Sequence, residues 1–264
     1  DSDGNGQLDY DEFVQVIMAK SAEMTTDGNL EIAPELAGLE FVQDIPKSAW
    51  EFVDELQQQA YAHQALNHPY LQRLAEGNLP DVEGALQDFA VQYSQHSRNF
   101  KNYLNITLDR LNNKEHEQLI LDNYQEEDGH LDEKHRRELA NLGIDAEWIE
   151  NIPHSNLFKQ FREAIGVGEN LTNISPEAQQ FYDRLQEICG QNAAAAIGAI
   201  GLAGESGVSR IYKFILQAIK RYTPLAPREY VFFTLHTQMD DEHTKALQAI
   251  AADLARTESG QEQL

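Results

Sequence analysis

His236, Asp240 and His243 fall at i, i+4 and i+7 in the stretch LHTQMDDEHTKAL. In a helix that spacing sets three side chains on one stripe. Two imidazoles and a carboxylate on one stripe are a ligand set for a borderline transition metal such as iron. Phe232, Phe233, Leu235, Leu247 and Ile250 bracket the stripe. Polar groups buried among them without partners would be costly, and ligation accounts for their presence. The competing reading is a solvated polar face, because Asp241 and Glu242 carry polarity around the helix.

Other helices must supply the remaining ligands. Glu205 sits among small residues in GLAGESGVSRI and needs a counter-charge. A metal would provide it, and so would a salt bridge to Arg210 or Lys213. Glu126 and Glu127 close another predicted helix, with one of them facing inward, and His130, His135 and His154 follow. His154 opens the amphipathic stretch HSNLFKQFREAIG, with Leu157, Phe158 and Phe161 on its core face. On the residues alone such a histidine is a cap, a surface group or a ligand.

Residues 1–12 read DSDGNGQLDYDE, the spacing of an EF-hand calcium loop. Asp1, Asp3 and Asn5 offer side-chain oxygens and Gln7 its backbone carbonyl. Asp9 acts directly or through water, Glu12 is the bidentate ligand, and Gly6 supplies the sharp turn. An exiting helix is plausible in DEFVQVIMAKSAE, while an entering helix is absent, so the motif is a partial EF-hand over residues 1–20. The chain begins inside the motif, which makes a truncated N-terminus the expectation and leaves targeting unreadable.

The chain has 264 residues, 41% of them hydrophobic, enough for one large domain with an appendage. Forty-four acidic against 20 basic residues give a formal net charge of -24, which disfavours nucleic acid and anionic membrane surfaces as partners. The single Cys189 excludes an intrachain disulfide framework and suits a reducing cytoplasm. No apolar run is long enough to span a bilayer.

Residues 21–46 read as a linker, and 47–264 as an all-α domain with scarce strand signals. Ser48 is the expected cap of a first long helix, interrupted at His68-Pro69. Asp81 starts the next helix, and a third ends at Gly129, a left-handed cap. A polar insertion over 130–152 holds one short helix. Further helices are expected over HSNLFKQFREAIG, PEAQQFYDRLQEICG, 191–222 and 227–256. The run AAAAIGAIGLAGES suits a buried helix that its neighbours approach closely.

Taken in order, these segments resemble the haem-oxygenase-like diiron oxidase family, the iron-containing redox enzymes, over roughly residues 50–256. NHPYLQRLAEGNLPDVEGALQDFAVQYSQHSRNF is similar to the family's opening helices. LILDNYQEEDG resembles the helix giving the first carboxylate, which falls on Glu127 with Glu126 as its rival. HSNLFKQFREAIG resembles the helix giving the first histidine, His154. AGES gives Glu205, and LHTQMDDEH gives His236, Asp240 and His243. The stretch between Glu127 and His154 is longer than in compact members, and some relatives use Glu-x-x-His, which Glu127 and His130 fit. The fuller match of the flanking apolar pattern favours His154.

The resemblance implies a haem-oxygenase-like seven-helix bundle that binds two Fe(II) ions and takes O2 as co-substrate. One iron would fall to Glu127, His154 and His236, the other to Glu205, Asp240 and His243. It implies oxidation of a small carboxylate- or amine-bearing substrate, by oxidative C–C cleavage or N-oxygenation. A further branch of the family is a self-sacrificing aminobenzoate synthase. Its donor tyrosines align with Leu71 and Phe89 and its active-site lysine with Ile215, so that branch is not expected here. Arg210 is a candidate fork for a substrate carboxylate, or else a surface ion pair. Domains of this type often pair, which makes a homodimer a candidate assembly.

Other classes compete. A thiaminase-like or metal-free enzyme on the same fold would want a nucleophilic Cys189 in the pocket. A ferritin-like carrier would want Glu-x-x-His on two helices. A calcium-responsive helical binding module would use the domain only to recognise a partner.

Overall fold

The computed structural model describes residues 36–169, 171, 173–238 and 242–264. The calcium loop over residues 1–12 lies outside the described residues, and so does Asp240. The chain divides into two compact units, residues 1–43 and 44–264. In the first, the described residues include a short helix, α1 (Glu40–Gln43). Everything below concerns the second unit, whose described residues form helices and no strand.

The early helices start and stop on local chemistry. Helix α2 (Lys47–Ala62) is capped by Pro46 rather than by Ser48. Proline fits there because a missing N–H costs nothing ahead of the first turn, and its carbonyl accepts from Ala49 N at 2.9 Å. His68 caps α3 (Pro69–Glu76), its Nδ1 accepting from Tyr70 N at 3.2 Å. Asp81 caps α4 (Val82–Leu108), accepting from Gly84 N at 2.8 Å. Helix α5 (Lys114–Glu127) runs out towards Gly129, whose φ of 82° needs the freedom of glycine. A Cβ there would also meet the Ile152 backbone N at 2.5 Å. The insertion carries α6 (Glu133–Asn141), followed by α7 (His154–Ala164) and α8 (Pro176–Cys189).

The expected helix over 191–222 is not uniform. It comprises α9 (Ala193–Ile197), a π-helical segment Gly198–Glu205, and α10 (Ser206–Tyr222). The small residues do let neighbours close in: a Cβ on Gly201 would lie 2.7 Å from Leu247 Cβ. A π register leaves carbonyls poorly served by the helix itself, and side chains serve them here. Ser206 Oγ donates to Leu202 O at 2.7 Å, and the buried Gln57 donates from Nε2 to the same carbonyl at 3.1 Å.

The expected helix over 227–256 opens instead with a 3-10 turn (Pro227–Tyr230), followed by α11 (Val231–Gln238) and α12 (Glu242–Leu254). Proline at the head of that turn presets its φ. A last helix, α13 (Glu258–Gln263), is not anticipated by the sequence; Thr257 caps it. The core joins α4, α7, α10 and α11 through Leu86, Phe89, Phe158, Phe161, Tyr212, Phe232 and Phe233. No helix among the described residues is long and apolar enough to cross a membrane.

Candidate metal centre

Three of the expected ligands converge. One ligand atom each from Glu127, His154 and His236 lies within 4.8 Å of the others. Helix periodicity explains why they point inward. On α5 the buried positions are His116, Ile120, Asn123 and Glu127, spaced four, three and four apart. On α7 His154 shares a stripe with Leu157, Phe158 and Phe161. On α11 His236 follows Phe232 and Phe233 by four and three residues.

Hydrogen bonds orient two of these groups. His236 Nδ1 lies 2.7 Å from Phe232 O, so Nδ1 carries the proton it donates and Nε2 is left as the ligand atom. His154 Nδ1 lies 3.0 Å from Glu127 Oε1. Burial by itself would raise the Glu127 carboxyl, but the His154 charge and hydrogen bond outweigh it and hold the group down to about 2. Burial, with His154 nearby, pushes the His236 imidazole down to about 4, so it is neutral at neutral pH. An ionised carboxylate beside a neutral, preoriented imidazole is what a ferrous ion requires.

The remaining expected residues lie around this group. Glu205 closes the π segment and lines the same small cavity, about 40 Å³, as Glu127, His154 and His236. His243 is held elsewhere: its Nε2 is 2.9 Å from Glu126 Oε2, a carboxylate also 3.5 Å from His135 Nε2. Burial alone would lower His243, yet the hydrogen bond and charge of Glu126 raise it to about 9, with Glu205 and Glu127 acting the same way. Both Glu126 and Glu127 therefore face inward, each on a different histidine. His130 is exposed and stands outside the group.

Arg210 does not line the cavity; its guanidinium lies over the Tyr61 ring at 4.0 Å. Cys189 is fully buried, burial pushes its thiol up to about 11, and it borders neither this cavity nor the larger one beside it.

The sequence reading does not single out His96, Tyr93 or Tyr212, yet all three line the small cavity. The hydroxyls of Tyr93 and Tyr212 are 2.5 Å apart, and burial above all holds both phenols well above their ordinary range, so they stay protonated. The signal was present: Phe89, Tyr93, His96, Phe100 and Tyr103 follow helical spacing along α4. Such a stripe reads equally well as core.

Buried carboxylate and imidazole groups gathered between the helices of an all-α domain define a candidate iron protein. The sequence model of the iron-containing redox enzymes matches residues 87–264, more than half of the chain, and the chain belongs to that family. It is similar to the 4-aminobenzoate synthase of Chlamydia muridarum (strain MoPn / Nigg), 25% identical over 226 residues, covering 84% of this chain and 86% of that protein. It is also similar to the 4-aminobenzoate synthase of Chlamydia pneumoniae, 25% identical over 196 residues, covering 73% and 77%. The protein of that name from Chlamydia trachomatis serovar D is 25% identical over 213 residues, covering 79% and 82%. The chain is thus an oxidoreductase of the iron-containing redox class.

Proposed function

We propose that the protein is a non-haem diiron oxidase or oxygenase that uses O2 to oxidise a small organic substrate. The observation that carries this reading is the convergence of Glu127, His154 and His236 from three separate helices at one buried point. These residues fit iron: two nitrogens and a carboxylate, one imidazole oriented by a backbone carbonyl, in a cavity screened by aromatic rings. Glu205, His243 and Asp240 are the proposed ligands of a second ion, and Glu126 competes for His243. Bound ferrous iron would supply activation of dioxygen. The chain's own groups hold charge and exclude water around it. The Tyr93 and Tyr212 phenols keep one another's hydroxyls satisfied, which lets polar groups border the cavity without admitting bulk water.

The activity in the relatives' names is not the one proposed here. The resemblance puts that branch's tyrosines and lysine on Leu71, Phe89 and Ile215, none of which offers a phenol or an amine. Phe89 stacks on Tyr93 at 5.2 Å, and Ile215 is 1% exposed. We place the reaction among the oxidations of an external substrate.

Anaerobic titration with ferrous iron, followed by exposure to oxygen, tests the reading. Two irons per chain and oxygen uptake are expected. A preparation that binds none, or whose uptake survives His154→Ala, would overturn it. Calcium on Asp1, Asp3, Asn5, Gln7, Asp9 and Glu12 is a second part of the proposal, resting on the loop's sequence alone. A calcium titration that left melting temperature and turnover unchanged would remove any regulatory role.

A further inference from the structure

Beside the metal cavity lies a much larger one, of about 1070 Å³, at the upper end of the range for small-molecule sites. Tyr93, His96, Phe100, Gly204 and Val208 line both, so the two spaces meet at those residues. The body of the large cavity is apolar, with Leu66, Leu185, Ile200, Ala203 and Ile211 on its walls. Ala203 is exposed directly after the buried Ile200, Gly201 and Leu202, and Phe181 stands 57% exposed on the same wall. An exposed apolar wall of this kind marks a surface that expects an apolar occupant.

Helix α8 adds charge to this lining. Glu177, Asp183, Arg184 and Glu187, all exposed on α8, line the large cavity and not the small one. Three carboxylates outnumber one guanidinium, and that guanidinium is already paired, with Arg184 Nη1 2.6 Å from Glu187 Oε2. At the junction, burial pushes the His96 imidazole down to about 4, so it adds no positive charge. Arg210, the cation that sequence offered for a carboxylate substrate, lies over Tyr61 and borders neither cavity.

We propose that the large cavity is the substrate site and takes an apolar amine, with its cationic nitrogen at the Asp183 and Glu187 carboxylates, one turn apart on α8, and its chain directed past His96 towards the metal centre. The assignment rests on the oxidase reading for the reaction but not for the binding. The substrate class is therefore an alkyl or aryl amine rather than a fatty acid, and oxidation falls on the part of the chain remote from the nitrogen.

Calorimetric binding to the metal-free full chain tests this with three probes of equal length: decylamine, decanol and decanoate. Decylamine should bind about tenfold or more tightly than decanoate, with decanol between them. Ala203→Trp should weaken all three by about tenfold or more. Should that variant not fold, Asp183→Lys with Glu187→Lys carries the test, because it should reverse the order of amine and acid. Decanoate binding as tightly as decylamine, or a folded Ala203→Trp with unchanged affinity, would overturn the proposal. Ferrous titration of the same preparations separates the two readings. Iron uptake without amine binding removes the substrate assignment alone, and amine binding without iron uptake removes the oxidase alone.

Discussion

His154 and Glu127 face each other across two helices at 3.0 Å, Nδ1 to Oε1, with each side chain about one tenth exposed. The contact pairs the two groups and places a carboxylate beside an imidazole where iron would need them. Glu127→Gln keeps a hydrogen-bonding partner for His154 but removes the charge. It should fold, and should lose more ferrous affinity than the roughly 10- to 100-fold typical of losing an outer partner. His154→Ala leaves the buried carboxylate without its partner and should lower the stability of the metal-free protein by about 1–3 kcal/mol. Anaerobic titration and denaturant melts read both, and a Glu127→Gln protein with unaltered iron affinity would remove Glu127 from the site.

The His243–Glu126 pair gives the metal-free protein a pH signature. His243 is raised from an ordinary 6.5 to about 9, while Glu126 is lowered from 4.5 because the hydrogen bond and charge of His243, with the charges of His135 and His154, together outweigh its burial. A raised imidazole stabilises the fold fully below its unfolded value and loses that contribution as pH climbs through the folded one. A lowered carboxyl contributes above its unfolded value and loses that contribution as pH falls. The pair is therefore at full strength between 4.5 and 6.5 and fades towards about 9. Thermal melts across that range should show the wild type's advantage over His243→Gln shrinking as pH rises. A constant difference would mean that His243 is neutral in the folded protein.

How much of this was legible in the sequence depends on what each residue's neighbours are. Spacing alone leaves His154 a cap, a surface group or a ligand and does not separate Glu127 from Glu126; the resemblance picks out both, whereas His236 stands out by its own stripe. The π segment was not legible, because Gly198, Gly201 and Gly204 signal close approach without saying which hydrogen-bond register the backbone takes. His96 escaped for a related reason: a histidine in an aromatic stripe looks like core until the space on its far side is known. Ser48 misled because a good cap lies two residues beyond the proline that does the capping.

Cys189 tests the idea of thiol chemistry on this fold. It is fully buried, and burial pushes its thiol up to about 11, so little thiolate exists at neutral pH and none of it borders a cavity. Iodoacetamide should leave the native protein unmodified and label it stoichiometrically in denaturant. Cys189→Ala should retain full iron uptake and oxygen consumption. Rapid labelling of the native protein would instead revive a nucleophilic role.

Gln57 reaches from α2 into the π segment that ends in Glu205. Its Nε2 donates to Leu202 O at 3.1 Å and to Ser206 Oγ at 2.9 Å, while its Oε1 accepts from Gln248 Nε2 at 3.2 Å. Those bonds tie the segment that ends in Glu205 to two other helices. Gln57→Leu matches the volume but takes the Gln248 amide's acceptor away and leaves the Leu202 carbonyl with Ser206 Oγ alone, at a cost of about 1–3 kcal/mol. Stability alone would not distinguish anchoring from packing, so the second readout is metal stoichiometry. If the network sets the π register, the variant should keep the iron bound by Glu127, His154 and His236 and weaken the ion that Glu205 would hold. Equal loss at both positions, or none at either, would show that Glu205 is placed by the helix itself.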